Sequence, residues 1–191
     1  MGANNASNVT TGKPKVGGAL FKGATNLTLP ITADGDIAAG FSCLGYCSED
    51  GLVNTMSLEG DNIKAWGGDV VLDVGTGETD QFKVTLIESM DTEVLKLVHG
   101  SANVSGNLED GIAVSVNSND RDHYAYVCDM VFKGNVLKRI VIPDGKVTEI
   151  GDITYKDDEA VGYEVTISAF PDANGNTHYE YIKAAGSGSG S

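Results

Sequence analysis

The side chains able to do covalent or metal chemistry are few and scattered. Histidine occurs three times, at His99, His123 and His178, and cysteine three times, at Cys43, Cys47 and Cys128. Nucleophilic catalysis needs a nucleophile with a base in reach and a group that orients the base. The histidines fall at an expected helix end, an expected strand start and a strand edge, and none sits in such a motif. His99 reads instead as a cation near a helix C-terminus. Cys43 and Cys47 form C-x3-C, which on a strand puts both on one face. A zinc site wants four ligands in paired spacings, and the sequence holds no second pair, so buried free thiols are the better reading. An odd, sparse cysteine count also argues against a disulfide framework and suits a reducing compartment. The run Asp157-Asp158-Glu159 lacks the spaced oxygen ligands of a calcium loop and reads as an acidic turn. Gly75-Thr76-Gly77 lacks the rest of a dinucleotide fingerprint, and neither a phosphate loop nor a GxSxG motif occurs. The sequence therefore names no catalytic, metal or cofactor-binding residue, and an enzyme is not expected.

The elements point to a β protein. The chain has 191 residues, of which 41% are hydrophobic and only 7% aromatic, so its core must rest on Val, Ile and Leu. That length suits a single domain with a generous arm or loop. Gln81–Ile87 alternates, with Phe82, Val84 and Leu86 on one face and Lys83 and Thr85 on the other. Ala160–Phe170 alternates in the same way, and His123–Phe132 is long and mostly apolar. Val136–Ile142 and Lys146–Tyr155 flank Pro143-Asp144-Gly145, which reads as a turn. Pro171–Asn176 is a second turn signal ahead of a strand over Thr177–Ile182. Ala102–Ser105 and Ile112–Val116 read as a further pair, Leu27–Thr32 as a short edge strand, and 37–47 as a strand with a bulge at Gly45. The spacing predicts one helix, near Met90–His99. It is capped by Ser89 or Asp91, with Met90, Val94, Leu97 and Val98 on one face and Gly100 closing it. Many short strands with Gly-rich turns indicate a sandwich or barrel.

Three segments sit outside that pattern. Residues 1–26 lack periodicity and read as an extended arm, and 186–191 as a flexible Gly/Ser tail after a single β domain over 27–185. Ser48–Asp80 reads as a long hairpin loop, with Leu52–Glu59 and Asn62–Trp66 as its arms. It carries Leu52, Val53, Met56, Leu58, Ile63, Trp66 and Val70 without an evident local core. A long loop bearing apolar side chains is a candidate for ordering against a partner, so these seven are the expected assembly-interface residues.

Charge and hydropathy limit the partners. The net charge of −14 repels nucleic acid, whose binding relies on Lys and Arg against phosphates. No stretch approaches the ~20 apolar residues of a membrane span, and Met1–Lys15 has no apolar leader segment.

Two segments carry a family resemblance. Asp80–Gly100 (DQFKVTLIESMDTEVLKLVHG) is followed by Lys138–Asp172 (KRIVIPDGKVTEIGDITYKDDEAVGYEVTISAFPD), with Trp66-Gly67-Gly68 placed upstream. This order, and the phrase from IPDGKV to SAFPD, resembles the major tail proteins of long non-contractile-tailed phages over roughly residues 30–183. The resemblance implies two packed antiparallel sheets, a β-sandwich close to a barrel, with one flanking α-helix. It implies rings of six copies stacked into a hollow tube in the virion tail, made in the host bacterial cytoplasm. The implied partners are further copies of the chain, a tape measure protein, a tail terminator and tail-tip or baseplate proteins. DNA is expected to pass through the lumen without specific binding, and no membrane binding is implied. Two readings remain beside it. One is an inner-tube protein of a contractile tail or tail-like injection device. The other is a β-sandwich binding or adhesion module, which would need a concave aromatic-lined site that the pattern does not show.

Overall fold

Alternating burial along three strands builds the centre of the molecule. The computed structural model describes residues 4–185; the Gly/Ser tail expected over 186–191 lies outside the described residues. The strands are β1 (Gly12–Pro14), β2 (Leu20–Gly23), β3 (Ser42–Cys43), β4 (Cys47–Lys64) and β5 (Val70–Leu86), then β6 (Val104–Asn107), β7 (Gly111–Val114), β8 (His123–Phe132), β9 (Val136–Ile150), β10 (Tyr163–Ala169) and β11 (Tyr179–Ala184). Helix α1 (Thr92–His99) follows β5 and is the single α-helix among the described residues. In the large antiparallel sheet the order is β3-β2-β8-β9-β10-β5-β4, with β1 added to β8 and β11 added to β9; β6 and β7 form a separate pair. The protein is thus mainly β with one helix on its flank.

β9 makes this one path behave as two layers. One of its edges pairs with β8 along nearly its whole length. Its other edge pairs with β11 from Val136 to Val141 and then with β10 from Gly145 to Ile150. Pro143 stands where the partner changes, a place where a missing backbone N–H costs no ladder bond. The register to β8 slips between Tyr124 and Tyr126 opposite the same point, the signature of a bulge that bends the sheet. Pro143-Asp144-Gly145 is therefore not a turn: the two strands expected on either side of it are one.

The core follows the period of two. Phe82, Val84 and Leu86 on β5 lie opposite Ile167, Val165 and Tyr163 on β10, and all six are buried. Tyr126 and Cys128 on β8, with Ile140, Ile142 and Val147 on β9, extend the same layer. α1 closes it with Val94, Leu95, Leu97 and Val98. Met90, expected on that face, precedes the helix and is exposed. Asp91 is the N-cap, its carboxylate accepting from the backbone N–H of Glu93 (2.6 Å) and Val94 (3.3 Å). Gly100 ends the helix with φ 95°, a region that favours glycine. Asp91→Ala removes the acceptor for these N–H groups and is expected to lower stability by about 1 kcal/mol, read as a shifted urea midpoint with unchanged slope.

The N-terminal region departs most from its expected form. β2 lies within residues 1–26 yet is an internal strand between β8 and β3, with Leu20 and Lys22 buried. Lys22 is held there by the Glu93 carbonyl at 2.8 Å and the Tyr124 ring. Residues 27–32 form no strand; the alternation of Leu27, Leu29 and Ile31 is spent in a loop. The strand expected over 37–47 shrinks to β3, and Gly45, at φ 71°, links it to β4. The loop around 32–35 covers the far face of β8 and β9, where Arg139 donates to the Thr32 and Gly35 carbonyls at 3.0 and 2.7 Å. Arg139 also makes a two-pronged ion pair with its cross-strand neighbour Asp129, at 2.6 and 2.8 Å, with both side chains almost wholly buried.

Candidate assembly surface

β4 leaves the body from its start beside the core, and β5 returns to end in the core at Leu86. Leu52 is half-buried against the core, opposite Val84. From Val53 to Lys64 every residue of β4 is exposed. Thr55 lies opposite Gln81, the last residue of β5 paired with β10, so the free ribbon runs from Met56 and, at roughly 3.3 Å per residue to Lys64, projects on the order of 26 Å. Its partner is not the near segment expected from sequence. Leu52–Glu59 pairs with residues 77–84, whereas Asn62–Lys64 pairs with 70–73. The chain reverses at Ala65–Asp69, where the Ala65 N–H donates to the Asp69 carbonyl (2.7 Å) and the Gly68 N–H to the Ala65 carbonyl (2.9 Å). Gly67 and Gly68 adopt φ 126° and 101°, which only glycine takes easily, and that fixes the reversal here rather than at Gly60.

The ribbon carries apolar side chains on both faces. Met56 and Leu58, exposed by 59% and 82%, share a face with Phe82 and Val84, so the core layer runs on into open solvent. Ile63 pairs directly with Leu72, and Val74 lies two residues along, on the opposite face. Val70 pairs with Lys64, and Val53 with Lys83. Trp66 stands at the tip, fully exposed. Five of the seven expected residues are therefore on the free ribbon, and Leu52 and Val53 belong to its root. Val71, Leu72 and Val74 join them, which the expected set did not include. Their signal lay in the sequence as the alternation of Leu72 and Val74, but its meaning depended on knowing that β5 begins at Val70.

At the root lies Asp80, the last buried residue of β5 before the ribbon. Its carboxylate takes the Asn54 amide at 2.7 Å, the Thr177 hydroxyl at 2.7 Å and the His178 Nδ1 at 2.5 Å. His178 also packs edge-on against Phe82 at 5.2 Å.

A second polar surface covers the outer face of β5 and β10. Lys83 pairs with Glu164 at 2.9 Å, and Ser168 bonds Gln81 and Thr148 at 3.2 and 2.8 Å. This face is polar and partly exposed, with Thr166 buried within it.

The other reactive groups are placed apart. Burial pushes the Cys47 thiol up to about 11 and the Cys128 thiol up to about 12, the opposite of what a thiolate nucleophile requires. Burial, with the neighbouring Arg121, pushes His99 below its usual value. The cation at the end of α1 is Arg121, whose Nε donates to the Val98 carbonyl at 2.8 Å, and not His99 as expected. His123 contacts Asp144 at 2.6 Å, far along the chain from His178. Among the described residues no group of three or more His, Cys, Asp or Glu side chains is arranged to hold a metal, and no helix is long and apolar enough to cross a membrane.

Compared with known proteins, residues 1–188 match the family model described as phage tail tube protein. No curated protein matches the chain.

Proposed function

The chain belongs to the phage tail tube protein family and is a structural subunit of the virion tail; from that premise we propose that its copies close into rings of six and that the β4–β5 ribbon docks each ring onto the next. The observation that carries this reading is the ribbon itself. It projects well beyond the body while exposing Met56, Leu58, Ile63, Trp66 and Leu72, side chains whose exposure alone gains nothing. Burying them against a neighbouring copy stabilises the assembly by about 25 cal/mol for each Å² of apolar surface removed from water. An interface between different surface patches closes into a ring if the rotation allows, and a second such interface, which does not close, repeats along the axis and stacks the rings.

The tube's content follows from charge. A subunit of net charge −14 repels phosphates, so DNA moving through such a lumen is guided without being held. The polar face that carries Lys83, Thr85, Glu164 and Ser168 is the part of the sheet suited to line it, with Lys83 paired to Glu164 and Ser168 bonded to Gln81 and Thr148. A tape measure protein inside the tube before DNA, with terminator and tip proteins at its ends, completes the proposal. Within the arm, β1 is paired with β8 and Leu20 onward is core, so residues 4–9, exposed ahead of β1, are the described part able to reach a neighbour.

Electron microscopy of purified protein and of virions tests this. Rings or tubes with a central hole are expected. A chain that stays monomeric under all assembly conditions and is absent from virions overturns it.

A further inference from the structure

The docking ribbon needs a direction as well as an apolar surface, and the body supplies little to fix one. β10 ends its pairing with β5 at Ser168 opposite Gln81. Beyond that point the ribbon is held only by its own two strands, and an isolated two-stranded ribbon is marginal in water. Asp80 is the next residue. It is only 2% exposed, and it stands at the corner where β5 runs past the end of β10 towards the start of β11.

We propose that Asp80 is the positioning residue of the docking ribbon, a buried clamp that locks the ribbon's root to the segment before β11 and so sets where the tip is presented; this rests on the assembly reading above. One carboxylate oxygen takes the Asn54 amide from β4. The other takes the Thr177 hydroxyl and the His178 ring nitrogen. Among the described residues, the side-chain hydrogen bonds that reach from the ribbon root to residues 177–178 both end on this carboxylate. The far side of the clamp is firm, because β11 starts at Tyr179 and pairs with β9 along six residues. Hydrogen bonds to a charged acceptor are stronger than neutral ones, and a buried carboxylate deprived of donors is costly, so the root resists rotation. An amide of the same size cannot take all three donors: one of its two terminal atoms is itself a donor.

The single tryptophan of the sequence makes the clamp measurable, because Trp66 is at the ribbon tip. Time-resolved anisotropy of Trp66 in the full soluble chain reports how firmly the ribbon is held. In Asp80→Asn, and in Thr177→Val/His178→Gln, which removes the same contacts from the other side, the segmental motion of Trp66 is expected to grow. The concentration needed for tube formation is expected to rise about tenfold. Ile140→Val lowers stability through the core without touching the clamp, and it is expected to leave both readouts at their wild-type values once the samples are compared at equal fractions folded. An unchanged Trp66 decay in both clamp variants, or wild-type assembly by them, overturns the proposal. Wild-type tubes in the same experiment keep the two questions apart: if they form while the clamp variants behave normally, the clamp fails and the assembly reading stands.

Discussion

Trp66→Glu is expected to fold like the wild-type chain and to build no tubes at concentrations where the wild type does. The side chain touches nothing in its own subunit, being fully exposed at the ribbon tip, so the change should move stability by no more than about 0.5 kcal/mol. If the ribbon docks as proposed, the same position becomes a desolvated aromatic anchor in the tube, and truncating such anchors typically costs about 2 kcal/mol or more. A buried unpaired carboxylate adds its own desolvation cost. At about 1.4 kcal/mol per factor of ten, assembly should require at least thirtyfold more protein, and the loss repeats at every ring-to-ring contact. Leu58→Asp tests the other end of the ribbon face and should act in the same direction, since Leu58 is exposed by 82% and pairs with Glu78. Thermal unfolding and sedimentation velocity on the same samples separate the two effects. A variant that melts normally and also assembles normally shows that the tip is not the docking element.

The second large effect lies in the body. Asp129→Ala leaves the guanidinium of Arg139 buried at 1% exposure with only the Thr32 and Gly35 carbonyls as partners. Breaking one side of a buried ion pair costs about 3–5 kcal/mol, a large share of the ~5–15 kcal/mol that holds a domain together. Lys15 does not rescue it, since its own bond at 3.2 Å is to the carboxylate that has gone. Replacing both members, Asp129→Leu with Arg139→Met, should recover much of the loss, because a well-packed apolar pair avoids the desolvation cost of two ions. Recovery stays partial, since the two loop carbonyls lose their donor. Urea midpoints of the three chains decide it, and a single-variant loss under about 1 kcal/mol would show that the pair is solvated in solution.

The local patterns were legible where one face of an element meets the core. The alternation of Phe82, Val84 and Leu86 against Lys83 and Thr85 places β5 correctly, and Asp91 with Gly100 brackets α1. Position-specific signals misled where the third dimension supplied the reason. Pro143-Asp144-Gly145 has turn chemistry, but its proline is accommodated by a change of strand partner that no local window contains. β2 is only four residues long and shows no period, because its place is fixed by β8 more than a hundred residues later. The ribbon's apolar residues could be found from sequence, while their faces could not, since two register slips and the reversal at Gly67-Gly68 decide them. The Asp80 clamp had no sequence signal at all: its donors lie 26, 97 and 98 residues away.

A cryo-EM reconstruction of the assembled protein decides whether the ribbon joins the rings. Stacked rings around an open lumen are expected, with the ribbon of residues 56–79 lying against the adjacent ring and with Met56, Leu58 and Trp66 buried there. Tubes in which that ribbon stands free in solvent, or in which ring-to-ring contact is made wholly by other elements, would contradict it.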